Sequence, residues 1–197
     1  METHKNRIVV LLTTIVCSTT LMAQYWDESM YSRYTYSNYT NYGAFTQVID
    51  PADFDARLLN AAVFYETSRQ RVIHGGKSYQ YDHNLEACAQ NHTYDMITHN
   101  FFSHTSIVQG KEKLRDRMLQ AGCEYRTCAE NIAYCSLNSA WTYVDCAKHL
   151  VNGWMNSPGH RENILNSIYV YLGCGTGLYY KDGYILVKAT QNFLLKK

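Results

Sequence analysis

Residues 153–166 read Gly-Trp-Met-Asn-Ser-Pro-Gly-His-Arg-Glu-Asn-Ile-Leu-Asn, and no other stretch constrains the chain so tightly. An apolar pattern at helical spacing runs into it through Val144, Ala147, Leu150, Val151 and Trp154. Ser157-Pro158-Gly159 then interrupts that pattern, because proline lacks the N–H a helix interior needs and glycine favours a turn. The break predicts a helix stop near Asn156 and a new short helical segment with His160 at its head. Polar residues on a turn between two packed segments are a common place for function. A solvated corner carrying His160, Arg161 and Glu162 is the competing reading.

The remaining pattern supplies the layers such a corner packs against. A helix capped by Asp53 is predicted to run to about Arg71, with Phe54, Leu58, Ala61, Ala62 and Tyr65 at helical spacing. Gly75-Gly76 ends it. A second helix opens at Asp82 or Asn84, with Leu85, Cys88, Ala89, His92, Asp95 and Met96 on about one face. A third covers roughly residues 111–121 and stops at Gly122. Residues 128–134, 169–180 and 184–193 read as strands, the last two joined at Lys181-Asp182-Gly183 by a hairpin signal. Helices beside a small antiparallel sheet give an α+β layered domain.

At the amino end, Lys5 and Arg7 precede an apolar run over residues 8–17, and Ala23 offers a small residue for cleavage. Residues 1–23 are therefore expected to be a signal peptide and the chain to be secreted or otherwise extracytoplasmic. The run is too short to span a bilayer, so no transmembrane span is expected in the mature chain. Residues 24–50 alternate tyrosine with Ser, Thr, Asn and Arg, and are expected to be a disordered lead-in. Residues 51–197 then form the folded domain. With 18 Lys and Arg against 17 Asp and Glu there is no net field to gather nucleic acid. Beyond the signal peptide lie Cys88, Cys123, Cys128, Cys135, Cys146 and Cys174. An even count in an exported chain points to disulfides, Cys135–Cys146 being the favoured pair, against the reading that some are buried thiols. His83, His92 and His99 read as surface or capping groups.

Three segments place an ionisable group beside an apolar run: Asn100-Phe-Phe-Ser-His-Thr105, Ala129-Glu-Asn-Ile-Ala133, and the opening stretch. Two histidines and a glutamate from three segments are the donor types that suit zinc or a similar dication, although they form no spacing motif. Together with Leu172-Gly-Cys-Gly175, and in this order, the segments resemble the CAP superfamily of cysteine-rich secretory, antigen 5 and pathogenesis-related 1 proteins, in its compact bacterial form. The resemblance covers about residues 54–193.

It implies a three-layer α-β-α sandwich around a small antiparallel sheet, with a cleft carrying two histidines and two acids. By position His104, Glu130 and His160 match three of these. Asn156 and Ser157 stand where the second acid would be, which leaves Ser157 and Ser103 as hydroxyl neighbours of a three-residue metal site for Zn2+ or another divalent cation. The implied function is binding of a ligand or partner (a lipid or sterol, or an extracellular protein) through this cleft. The alternatives are a metal-dependent hydrolase or protease using the same residues, and a non-catalytic lipid-binding or host-interaction module. No catalytic residue is assigned, because neither HExxH nor GxSxG occurs and a Ser next to a His rarely points at it.

Overall fold

The computed structural model of the protein describes residues 26–197; the expected signal peptide lies outside the described residues. Helix α1 (Ala56–Ile73) is capped by Asp55, whose carboxylate accepts from Leu58 N at 3.0 Å. Asp53 does not cap it, because Asp50 and Pro51 first wind a separate turn, Pro51–Asp53, and the long helix starts beyond it. Asp82 caps α2 (His83–Thr98) in the same way through Leu85 N. Helix α3 (Leu114–Gln120) is shorter than its pattern and gives way to Gly122 at φ +73°. A reciprocal Thr142–Asp145 box opens α4 (Tyr143–Met155), which ends at Asn156. Pro158 sits in the first turn of α5 (Pro158–Leu165), where its missing N–H would have no partner anyway.

Strands β2 (Thr127–Ser136), β3 (Tyr171–Lys181) and β4 (Tyr184–Leu195) form an antiparallel meander in space, ordered β3-β4-β2. Asp182 and Gly183, at φ +51° and +81°, make the two-residue turn that suits the twist of the β3–β4 hairpin. A two-residue strand β1 (Gln80–Tyr81) joins β3 in parallel, so the sheet is mixed, where an antiparallel one was expected. Helices α1 and α4 cover one face and α2 the other, giving three layers.

The two faces are built differently. Leu172, Cys174, Val187, Ala189 and Phe193 join α1 and α4 in an apolar core. On the other face Gly173 and Gly175 lie beneath α2. A Cβ on Gly173 would stand 2.2 Å from Glu86 N, and one on Gly175 2.3 Å from Gln90 N. The alternating glycines therefore let helix backbone rest directly on strand backbone, and they are the reason for the Leu-Gly-Cys-Gly motif.

Two expectations are corrected. The lead-in is ordered from Trp26 onward: it winds short 3₁₀ turns and buries Trp26, Met30, Tyr39, Phe45 and Ile49 in the α1–α4 core. Its lack of aliphatic residues does not matter, because aromatic rings supply the buried area; Trp26 alone packs against Tyr31, Tyr34, Tyr42, Phe45 and Tyr65. Second, Cys135 and Cys146 are free thiols, as are the other four described cysteines. They lie side by side where β2 meets α4. Cys88 and Cys123 pack with Leu85, Met118 and Leu194 as small apolar groups in a second core.

Candidate functional site

Three elements converge at the outer edge of the sheet, along β2. Helix α2 closes in a Schellman turn: Phe101 N donates to Met96 O at 3.1 Å, Asn100 N donates to Ile97 O at 3.2 Å, and Asn100 takes φ +50°. Asparagine tolerates that left-handed conformation, which accounts for Asn100 at the head of its motif. The buried Lys188 ammonium fixes the same turn, donating to Met96 O at 2.7 Å and Phe101 O at 2.9 Å. The chain leaves this turn on a defined path and delivers Ser103 and His104 to the sheet edge.

Glu130 points from β2 toward the α2 layer and His104 lies over it. Their contact, Nδ1 to Oε1, is 2.9 Å. The Glu130 side chain is 3% exposed and that of His104 is 55% exposed, so the carboxylate forms the floor and the imidazole the rim. On the opposite face of β2, Asn131 reaches α5: its Nδ2 donates to His160 O at 3.1 Å, and its Oδ1 accepts from Asn163 Nδ2 at 2.8 Å. The Ala-Glu-Asn motif thus uses adjacent residues for opposite tasks, Glu130 to anchor His104 and Asn131 to hold the backbone of His160. His160 is half-buried and shares the cleft. Burial, and then the neighbouring charge of His104, hold its pKa below the ordinary histidine value.

Two residues essential to the geometry were not expected. Arg117 of α3 is buried and lays Nη2 against both Glu130 oxygens, at 2.9 and 2.8 Å. Its Nη1 donates to the carbonyls of His104 and Lys111, at 3.2 and 3.1 Å. One guanidinium therefore ties the loop to the strand. His92, read from the sequence as a surface or capping group, is fully buried; its Nε2 meets Ser103 O at 3.1 Å and lies 3.8 Å from Glu130 Oε1. Burial depresses its pKa, more than the Glu130 charge raises it. Burial alone would raise that of Glu130, but His104, His92 and Arg117 together outweigh it and hold the carboxyl below its usual value. The helical spacing of His92 with Leu85, Cys88 and Met96 was the signal for its burial. Arg117 gave none, since an arginine in a short polar helix reads as solvated.

The two serines do other work. Ser103 Oγ accepts from Thr105 N at 3.0 Å, and its carbonyl receives His92. Ser157 is the N-cap residue of α5 and its carbonyl accepts from Arg161 N at 2.8 Å.

A divalent ion on His104, Glu130 and His160 would need a free carboxylate oxygen. Oε1 already receives His104 and Arg117, and Oε2 receives Arg117 and, with its amide turned nitrogen inward, Asn192 at 3.2 Å. The Arg117 guanidinium already supplies the positive charge against the carboxylate. Among the described residues no group of three or more His, Cys, Asp or Glu side chains is arranged to hold a metal ion. These donors do not fit a three-ligand metal site.

Known proteins resemble the chain in both sequence and fold. The profile of the "CAP: Cysteine-rich secretory protein family" matches residues 71–193. An uncharacterized membrane protein of Bacillus subtilis, YlbC, is 37% identical over 124 residues, 63% of this chain and 31% of its own length. The chain thus spans about a third of that relative. An extracellular protein of Bacillus anthracis containing an SCP domain superposes with a TM-score of 0.56 at 30% identity, over 72% of this chain and 41% of the other. An outer surface protein of Borrelia burgdorferi shares the fold, with a TM-score of 0.56 at 18% identity over 77% and 98% of the two chains. No described helix is long and apolar enough to cross a membrane. The motifs at residues 100–105, 129–133 and 153–165 all fall inside the matched span, and the chain belongs to the cysteine-rich secretory protein (CAP) family.

Proposed function

We propose that the protein is an exported CAP module that binds a ligand or partner through the cleft of His104 and His160, without a metal ion and without catalysis. The observation that carries this reading is the saturated Glu130 carboxylate. With Arg117 as its resident cation and Nδ1 of His104 bound to it, Glu130 fixes the imidazole and leaves Nε2 free for hydrogen bonding. Beside it Phe102 and Tyr134, both exposed, meet edge to face with ring centroids 4.9 Å apart. An imidazole pair next to an aromatic ledge suits a ligand that carries both a hydrogen-bonding group and an apolar face, such as a lipid headgroup region or a peptide. A serine-hydrolase reading draws no support from Ser103, whose Oγ accepts from Thr105 N and is not hydrogen-bonded to His104. Export is supported by the extracellular and outer-surface character of the structural relatives.

Zinc titration by calorimetry tests the metal-free reading: wild type and the His104→Ala/His160→Ala variant should take up zinc alike. Tight one-to-one zinc binding lost in the variant would sink it. Digestion of a peptide library, with Glu130→Ala as control, should show no cleavage above the control. Ring-nitrogen NMR during addition of phosphatidylcholine–cholesterol vesicles or the same peptides should shift the signals of His104 and His160.

A further inference from the structure

A second concavity opens away from the histidine cleft, where the ordered lead-in meets α1 and α2. Its volume is about 340 Å³, at the lower end of the range for small-ligand sites, and none of His104, Arg117, Glu130 and His160 lines it. We propose that this cavity is a binding site for a neutral, hydroxyl-rich ligand the size of a small sugar.

The lining carries the argument. Aromatic walls come from three segments: Trp26 and Tyr31 of the lead-in, Tyr81 of β1, and Tyr94 of α2. Tyr31 stacks on Tyr81 with centroids 3.8 Å apart, so the wall has a fixed shape. Between the rings lie amides and a carboxyl. Asn60, 1% exposed, donates Nδ2 to Glu86 Oε1 at 3.0 Å and Gln90 Oε1 at 2.8 Å. Flat aromatic surface interleaved with amide and carboxyl groups matches a molecule with apolar ring faces and a girdle of hydroxyls.

Charge narrows the class further. Glu28 is paired with His83 at 2.9 Å. Glu86 is satisfied by Asn60 and Tyr81 rather than by a cation, and burial raises its pKa. Arg57 is exposed in the lining and Glu28 is exposed beside it in the same cavity, so both signs of charge are present and the groups inside are the amides of Asn60 and Gln90 with Glu86. Trp26 gives the wall a rigid member: its indole packs against Tyr31, Tyr34, Tyr42, Phe45 and Tyr65. Its indole is 2% exposed and its Nε1 hydrogen has no acceptor.

Saturation-transfer NMR on the exported chain, with maltose and N,N′-diacetylchitobiose as probes and acetate and tetramethylammonium as charged controls, tests the site. At least one disaccharide should receive magnetisation and the ions none. Ala87→Phe puts a ring into the cavity from the surface of α2 and should weaken binding by about tenfold or more, whereas Tyr94→Ala removes an exposed ring from the wall and should weaken it by roughly fivefold. Melting curves establish that each variant is folded, and Tyr94→Ala decides if Ala87→Phe is not. Failure of both disaccharides to bind at millimolar concentration, equal binding by folded Ala87→Phe, or preference for a charged control would each overturn the proposal.

Discussion

The histidine cleft and the tyrosine-walled cavity each hold a glutamate, buried in the first and half-buried in the second, and they satisfy it in opposite ways. Glu130 has a guanidinium against both oxygens and two histidines, at 2.9 and 3.8 Å. Glu86 has an asparagine amide and a tyrosine hydroxyl. The first arrangement keeps the carboxylate ionised and turns it into scaffolding for an exposed imidazole. The second has only neutral hydrogen-bond partners against the cost of burial, so the carboxyl's pKa is raised rather than lowered. Burial, full or partial, is common to both, so the difference lies in the partner supplied. It follows that a buried acid marks a site in either case, while the charge of its neighbour decides what kind of ligand the site can take.

Helix α2 is the wall between the two regions, and its seat on the sheet is the place to break both together. Gly175→Val would drive a branched side chain into the backbone of Ala89 and Gln90. No rotamer avoids that contact, because the clash is already at Cβ. The expected loss is about 4 kcal/mol or more, a large share of a typical domain's stability of about 5–15 kcal/mol. Urea denaturation checks this, and a variant that folds with both sites intact would show that α2 can lift off the glycine track.

Arg117→Met separates the regions. It removes the only cation bound to Glu130 among the described residues and leaves a buried carboxylate with histidine partners alone. Breaking such a pair from one side costs about 3–5 kcal/mol. Adding Glu130→Gln should recover much of the loss, since two neutral groups of similar shape avoid the uncompensated charge. The cavity should be untouched in the double variant, and disaccharide binding there should match wild type. Chemical denaturation of the four members of this cycle measures the coupling.

How the two regions could be read from the sequence follows from the same contrast. The cleft is built from contiguous motifs: Asn100 because a helix must end in a left-handed turn, Glu130-Asn131 because alternate strand residues face opposite layers, and Ser157-Pro158-Gly159 because a helix must stop. Each residue type is dictated by local backbone chemistry, so His104, Glu130 and His160 were visible as candidates. Arg117 was not, because its role depends on α3 lying over β2, a contact no local pattern encodes. For the same reason the metal reading looked natural from the donor types and fails on the third partner. The cavity was invisible altogether. It needs the lead-in to be ordered, and a stretch of Tyr, Ser, Thr and Asn without aliphatic residues carries the composition of a disordered chain. What overrides that composition is a ring cluster, Trp26, Tyr39, Phe45 and Tyr65, that closes only when residues far apart in sequence meet. The hairpin at Asp182-Gly183 is the opposite case, legible because two residues contain the whole instruction.

The smallest expected effect, and the most discriminating, is the pH dependence of stability. Glu130 has a folded pKa below its ordinary value of 4.5. Its contribution is fully present above that value and is lost as pH falls through the folded pKa. His92 is likewise depressed, from 6.5, so the folded state resists its protonation and stability begins to fall as pH drops below about 6.5. Both groups belong to the cleft, and both weaken the protein in acid. Glu86 has the opposite sign. Its folded pKa lies above 4.5, so the unfolded chain releases that proton first, and stability is lost as pH rises from 4.5 through the folded value. Denaturation midpoints from about pH 4 to about pH 8 for Glu130→Gln and Glu86→Gln should therefore move in opposite senses. Glu130→Gln should be flatter than wild type at the acid end, and Glu86→Gln flatter toward neutrality. Parallel slopes in the two variants would mean that the partners around the two carboxylates do not differ in the way that separates the cleft from the cavity.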